Sequence, residues 1–153
     1  MIRVSDEEIH ASQALREFEL SVRDAGAIVS FTGQVRPQSS AGEVSALFLQ
    51  AYSPMTENGI ENALAEAQQR WPLAGVHILH RTGEMRAGDT IVFVATASKH
   101  RRAAFEAADF LMDYLKTEAV FWKKETTSGG ATWIEPRQDD YQDAARWQTE
   151  KVD

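Results

Sequence analysis

Apolar positions change period along the chain, and each change marks an element. Leu15, Phe18 and Val22 recur at three- and four-residue intervals, so residues 12–23 are predicted to form a short amphipathic helix. Ile28, Val29, Phe31 and Val35 make a β-rich run over 26–35 that ends in Gly33-Gln34-Val35-Arg36-Pro37. The Pro-Gln-Ser-Ser-Ala-Gly stretch at 37–42 is predicted as a mobile loop, and residues 44–52 as a strand of mixed burial. Ser53-Pro54 reads as a cap followed by proline at the first helical position. Ile60, Leu64, Ala67 and Trp71 then form the apolar stripe of a helix stopped by Pro72.

In the second half, residues 76–80 and 90–96 are predicted strands around a turn-rich Thr-Gly-Glu-Met-Arg-Ala-Gly-Asp segment. A helix over 99–116 places Ala104, Ala108, Leu111 and Leu115 on its buried stripe, with Arg102, Glu106, Asp109, Asp113 and Lys116 on the polar one. Ser98 is predicted to cap it. Residues 120–123 and 131–134 read as short strands. Beyond Asp139 the chain is largely polar apart from Trp147, so 139–153 is predicted as a surface tail or a partner-binding segment. About three helices among strands in irregular order point to an α+β fold rather than a doubly wound sheet. At 153 residues the chain is long enough for one well-buried domain, 1–153.

Composition removes several function classes. A net charge of −7 and a pI near 5.1 argue against nucleic acid as a partner. No run of about 18 apolar residues exists, and the N-terminus lacks an apolar leader, so no membrane segment and a cytoplasmic location are expected. The absence of cysteine excludes disulfides, thiolate metal sites and cysteine nucleophiles. Any sulfur chemistry must use sulfur brought by another molecule. His10, His77, His80 and His100 have no partner at i+4, so neither a metal site nor a cofactor is expected.

Against the acidic background, residues 99–124 hold six Lys and Arg and only four Asp and Glu. A helix N-terminus carries roughly half a positive charge and ordinarily recruits acids, yet this one begins Lys99, His100, Arg101, Arg102. Backbone N–H groups, dipole and cations together make a cradle for an anion. The competing reading is that these side chains fan into water or pair with Glu106, one turn from Arg102.

Several collinear segments carry a resemblance. Residues 31–36 (Phe-Thr-Gly-Gln-Val-Arg), 80–84 (His-Arg-Thr-Gly-Glu), 98–101 (Ser-Lys-His-Arg), 104–107 (Ala-Phe-Glu-Ala), 113–116 (Asp-Tyr-Leu-Lys) and 121–125 (Phe-Trp-Lys-Lys-Glu) resemble the signature blocks of the large, catalytic subunit of molybdopterin synthase. The likeness runs from about Gly26 to Trp133. The resemblance implies an α/β hammerhead-like fold with a small extra β subdomain. It also implies conversion of cyclic pyranopterin monophosphate to molybdopterin in molybdenum cofactor biosynthesis. Two sulfurs would come from the thiocarboxylated Gly-Gly end of a small ubiquitin-like subunit. The implied assembly is a homodimer within a heterotetramer. Gln50 and Val120 depart from the family's usual acidic residue and proline.

By the same resemblance Lys116 and Lys123 take the two catalytic lysine positions. Gln34, Val35 and Arg36, then His100 and Arg101, then Lys116, Lys123, Lys124 and Glu125, fall in substrate-contacting segments. Arg36 and the 37–42 loop would reach toward a partner protomer's pocket. The chemistry fits: Arg36, His100 and Arg101 suit a phosphate, the Lys116 ammonium can orient a thiocarboxylate, and a desolvated Lys123 can exchange protons. Two alternatives use the same residues, a noncatalytic module binding a phosphorylated metabolite and a lysine Schiff-base enzyme. Lys123 and Lys124 could equally be the charged guard of a strand edge.

Overall fold

The computed structural model describes residues 1–148. Its first sheet has the order β1-β5-β7-β2. β1 (Ile2–Ser5) runs parallel to β5 (Leu73–Arg81), and β7 (Thr90–Ser98) lies antiparallel to both β5 and β2 (Ala27–Gln34). Side chains alternate across a strand, so β7 serves two layers at once. Phe93, Ala95 and Ala97 pack under α1 (Ala11–Ser21), while Val92 and Val94 meet α2 (Met55–Arg70) and α3 (Arg101–Thr117). With both faces covered, β7 reads as a continuous apolar run rather than an alternating one.

The second sheet runs β3-β4-β8-β9, formed by β3 (Gln38–Ser39), β4 (Gly42–Ala51), β8 (Phe121–Thr127) and β9 (Gly130–Ile134). β6 (Gly83–Met85) pairs with β4 and follows β5 after one residue, so the chain steps from the first sheet to the second at Thr82. Gly83 makes that step at φ +86, where a side chain would be strained. Val35, Val44, Leu47, Leu49 and Met85 form the core beneath the second sheet.

The α+β class and the extra β unit are as expected, but details differ. β1 was unpredicted because four residues show no period and their partner strand lies over seventy positions away. The 37–42 stretch is not an irregular loop. It is a tight hairpin in which Ser39 Oγ donates to Glu125 Oε1 at 2.5 Å. α2 starts at Met55 with Pro54 at the cap position, and Ser53 Oγ binds Glu57. Ser98 does not cap α3: it sits in β7 and donates to the Pro72 carbonyl at 2.7 Å, leaving His100 at the cap.

The polar tail is also corrected, as residues Gln138–Ala145 form a fourth helix, α4. Beyond it Trp147 enters the core between Trp71 and Phe110. Its indole N–H donates to Asp113 Oδ2 at 2.6 Å, and Arg146 reaches the same oxygen at 2.9 Å. Asp113 is therefore buried, not on a polar face. Residues 149–153 of the predicted tail lie outside the described residues. Among those described, no helix is long and apolar enough to cross a membrane.

Candidate functional site

Lys116 and Lys123 reach one cavity from different elements. Lys116 stands in the last turn of α3, where a cation also suits the helix dipole. The helix stops abruptly because the N–H groups of Glu118 and Ala119 both donate to the Tyr114 carbonyl, at 2.8 and 3.0 Å. The chain then turns straight into β8. There Phe121, Lys123 and Glu125 share the inner face, and Trp122 and Lys124 the outer one.

A cavity of about 220 Å³ is bounded by Arg36, Lys116, Phe121, Lys123, Arg137 and Asp140. A second, of about 320 Å³, is bounded by Phe31, Gln34, Arg36, His80, Lys116 and Arg137. Arg36, Leu115, Lys116, Arg137 and Asp140 border both, so the two are chambers of one site.

The electrostatics are uneven. Burial first, and then the charge of Lys116, pull the Lys123 ammonium down to about 8, with Asp140 opposing them. Near neutral pH Lys123 can therefore give up a proton that an exposed lysine would hold. Burial drives His80 lower still, to about 3, with Lys123 and Lys116 adding to the effect and a hydrogen bond to the Arg81 carbonyl opposing it. Asp140 is tied locally: its Oδ2 accepts the Arg137 N–H at 2.9 Å at the start of α4.

The structure brings together Gln34, Arg36, Lys116 and Lys123 from the residues expected at the site. It places the others elsewhere. Val35 is buried in the second core, and its backbone exchanges bonds with Asp89 and Gly88 that fix the exit of β2 beside the cavity. Lys124 lies over the Trp133 ring, 5.8 Å from its centroid. Glu125 holds the 37–42 hairpin through Ser39.

His100 and Arg101 begin α3, and fifteen residues of helix rise put Arg101 roughly 22 Å from Lys116 in the same chain. Gly26 holds that end close to β2: a Cβ there would stand 2.3 Å from the Lys99 carbonyl oxygen. The α3 start has no acid in its first turn, and Arg102 is only 3.9 Å from Glu106 in a largely exposed pair. Arg36 borders the cavity of its own chain's Lys116.

Sequence reasoning missed His80, Arg137 and Asp140 as parts of the site. His80 had a signal, a second histidine closing the Val-His-Ile-Leu-His run 76–80. Arg137 and Asp140 had none, because their place depends on Trp147 docking α4.

An α+β chain that lines one cavity with two lysines and two arginines, one lysine partly neutralised, is a protein built to handle an anionic substrate. Comparison with known proteins narrows the class. Residues 4–118 match the model of the family described as "MoaE protein". The chain is 50% identical over 129 residues to the "Molybdopterin synthase catalytic subunit" of Escherichia coli (strain K12), covering 84% of this chain and 86% of that protein. It is 46% identical over 147 residues to the protein of the same name from Pseudomonas aeruginosa, covering 96% and 98%. The solved "Molybdopterin biosynthesis MoaE protein" of Burkholderia ambifaria superposes with a TM-score of 0.80 at 41% identity over 97% of each chain. The chain belongs to the MoaE family.

Proposed function

We infer that this chain is the catalytic subunit of a molybdopterin synthase, a sulfurtransferase of molybdenum cofactor biosynthesis. It converts cyclic pyranopterin monophosphate to molybdopterin by inserting two sulfurs. The observation that carries this reading is the convergence of Lys116 and Lys123 on one cavity in a chain with no cysteine. With no sulfur nucleophile of its own, the site needs a donor from outside, and the relatives' name, a catalytic subunit, implies a second subunit. That subunit is a small ubiquitin-like carrier ending in Gly-Gly, charged as a thiocarboxylate.

Each residue then has a part. Arg36 and Arg137 hold the substrate's phosphate through charge-assisted bonds, Gln34 lines the chamber beside them, and Lys116 balances the thiocarboxylate next to the carbon it attacks. Lys123, with its lowered proton affinity, exchanges protons with the oxygen that leaves. Lys124 and Glu125 act indirectly, by shaping β8 and the hairpin beside it. No metal or cofactor takes part.

The working unit is a homodimer flanked by two small subunits, with residues 1–153 acting as one domain. β2 is an edge strand, and a groove of about 370 Å³ between it and α3 exposes Phe31 and Phe105. Phe31 borders both this groove and the larger chamber, so a second copy on that edge abuts the site. His100 and Arg101 of the second copy, too far from Lys116 within one chain, then add cationic groups to it. The compartment proposed is the cytoplasm, whose reducing conditions preserve a thiocarboxylate.

Reconstitution tests the reading: this chain, a thiocarboxylated carrier and the cyclic pterin are expected to yield molybdopterin. Tight binding of the pterin without turnover would instead favour the noncatalytic module.

A further inference from the structure

The roles above leave His80 unused. The residue is 4% exposed, and its ring is held by two contacts. Nδ1 lies 3.1 Å from the Arg81 carbonyl oxygen, which can only accept, so Nδ1 carries the ring proton. Phe121 stacks on the ring at 4.1 Å with 21° between planes. Nε2 is thereby left with a lone pair and no hydrogen-bond partner among the described residues. The sealed polar atoms without a partner there are Glu57 Oε2 and Arg81 Nε. Nε2 is not one of them, because the ring borders the larger chamber.

The charges around the ring explain why it stays neutral. Lys123 from β8 and Lys116 from α3 both face it, Arg81 follows it on β5, and Arg36, Arg137 and Asp140 line the same chamber. Together with burial they keep the ring uncharged across the working pH range, so the lone pair remains available.

Of the other polar side chains of the chamber, Arg36, Lys116 and Arg137 only donate, and Thr32 and Gln34 can donate or accept. Arg36, Lys116 and Arg137 suit an anion, and Asp140 already accepts from Arg137. A heterocycle with N–H groups needs an acceptor as well, and a carboxylate there would cancel the charge that a phosphate requires. A neutral imidazole accepts without that penalty.

We propose that His80 is a substrate-binding residue whose Nε2 accepts a hydrogen bond from an N–H or O–H of the substrate's uncharged ring portion. This rests on the pterin reading above, and divides recognition between cations for the phosphate and His80 for the heterocycle.

Two amide variants separate acceptor from packing. His80→Asn can keep the Arg81 bond but has no atom at the Nε2 position. His80→Gln places an acceptor near that position. Affinities of wild type and both variants are measured for the cyclic pyranopterin monophosphate and for inorganic phosphate as competitor, each with a melting curve. The expected result is about tenfold weaker pterin binding for His80→Asn, the worth of one hydrogen bond, with phosphate unchanged and His80→Gln near wild type. Wild-type pterin affinity in His80→Asn overturns the proposal. So does an equal loss in both variants, or a loss shared by phosphate, since either assigns the ring to packing. If the amides do not fold, His80→Phe keeps the stack and removes the acceptor, and the same comparison decides. A wild-type protein that binds phosphate but not the pterin refutes the enzyme reading itself, and this inference with it.

Discussion

At the scale of single residues, the ammonium of Lys123, to which the proposed mechanism gives the proton transfer, is held at a cost to stability. Its folded proton affinity, near 8, lies below the ordinary 10.5, so the unfolded chain binds more protons between those values. Stability contributed at this position therefore rises as pH climbs from about 8 to about 10.5, and the full penalty is present below 8. Lys123→Met is expected to stabilise the protein at pH 7 by on the order of 1–2 kcal/mol, after discount for partial solvation, while abolishing sulfur transfer. Thermal melts at pH 7 and pH 10 check this: the gain should shrink at the higher pH. A variant no more stable than wild type at pH 7 would remove the evidence that the ammonium is strained. The pH–rate profile of sulfur transfer should likewise show an ionisation near 8. His80 acts in the same direction lower on the scale, since its folded value near 3 against 6.5 makes the fold lose stability as pH falls through that window.

At the scale of elements, the C-terminal helix decides whether the site is complete. α4 carries Asp140 and follows Arg137, and its seat is Trp147 in the core with Asp113 receiving both the indole N–H and Arg146. Trp147→Ala is expected to destabilise by about 3–5 kcal/mol, as for a buried aromatic, and to lower sulfur transfer further than the melt alone explains. Denaturant titration beside the assay checks it. Equal activity in a folded Trp147→Ala protein would mean that α4 is dispensable.

This is also where the sequence was least informative. The stripes of α1, α2 and α3 and the runs of β2, β4, β5 and β7 were legible because burial imposes a period on long segments. The cations of Lys116 and Lys123 were legible from the family likeness. α4 was not, since its residues are polar all round and its place rests on one tryptophan with a long-range partner at Asp113. Asp113 misled for the same reason: spacing puts it on a polar stripe, but tertiary contact buries it. Ser98 looked like a cap because local rules could not anticipate the Pro72 carbonyl.

At the scale of the molecule, a positively charged pocket on an acidic protein draws in small anions while discouraging polyanions. β2 is an edge strand with Phe31 and Phe105 exposed beside it, and in the proposed dimer the second copy that covers this edge also brings His100 and Arg101 to the site. Mixed dimers of Arg101→Ala and Lys116→Ala chains are expected to regain activity toward a quarter to a half of wild type, because one of the two pockets is then intact. Mixed dimers of Arg36→Ala and Lys116→Ala chains are expected to regain no activity, because both residues border the same chamber and each pocket then keeps one defect. The controls are the two homodimeric variants, each measured alone.

The central claim is that Lys116 and Lys123 carry sulfur transfer from an external donor. Its most direct measurement is single-turnover formation of molybdopterin from the cyclic pterin and the thiocarboxylated carrier, with wild type, Lys116→Ala and Lys123→Ala at matched folded concentration. The account predicts losses of at least about a hundredfold for each variant, in the range of a positioned acid–base or charge-stabilising group, with melting temperatures no lower than wild type. Near-normal product formation by either variant would contradict it.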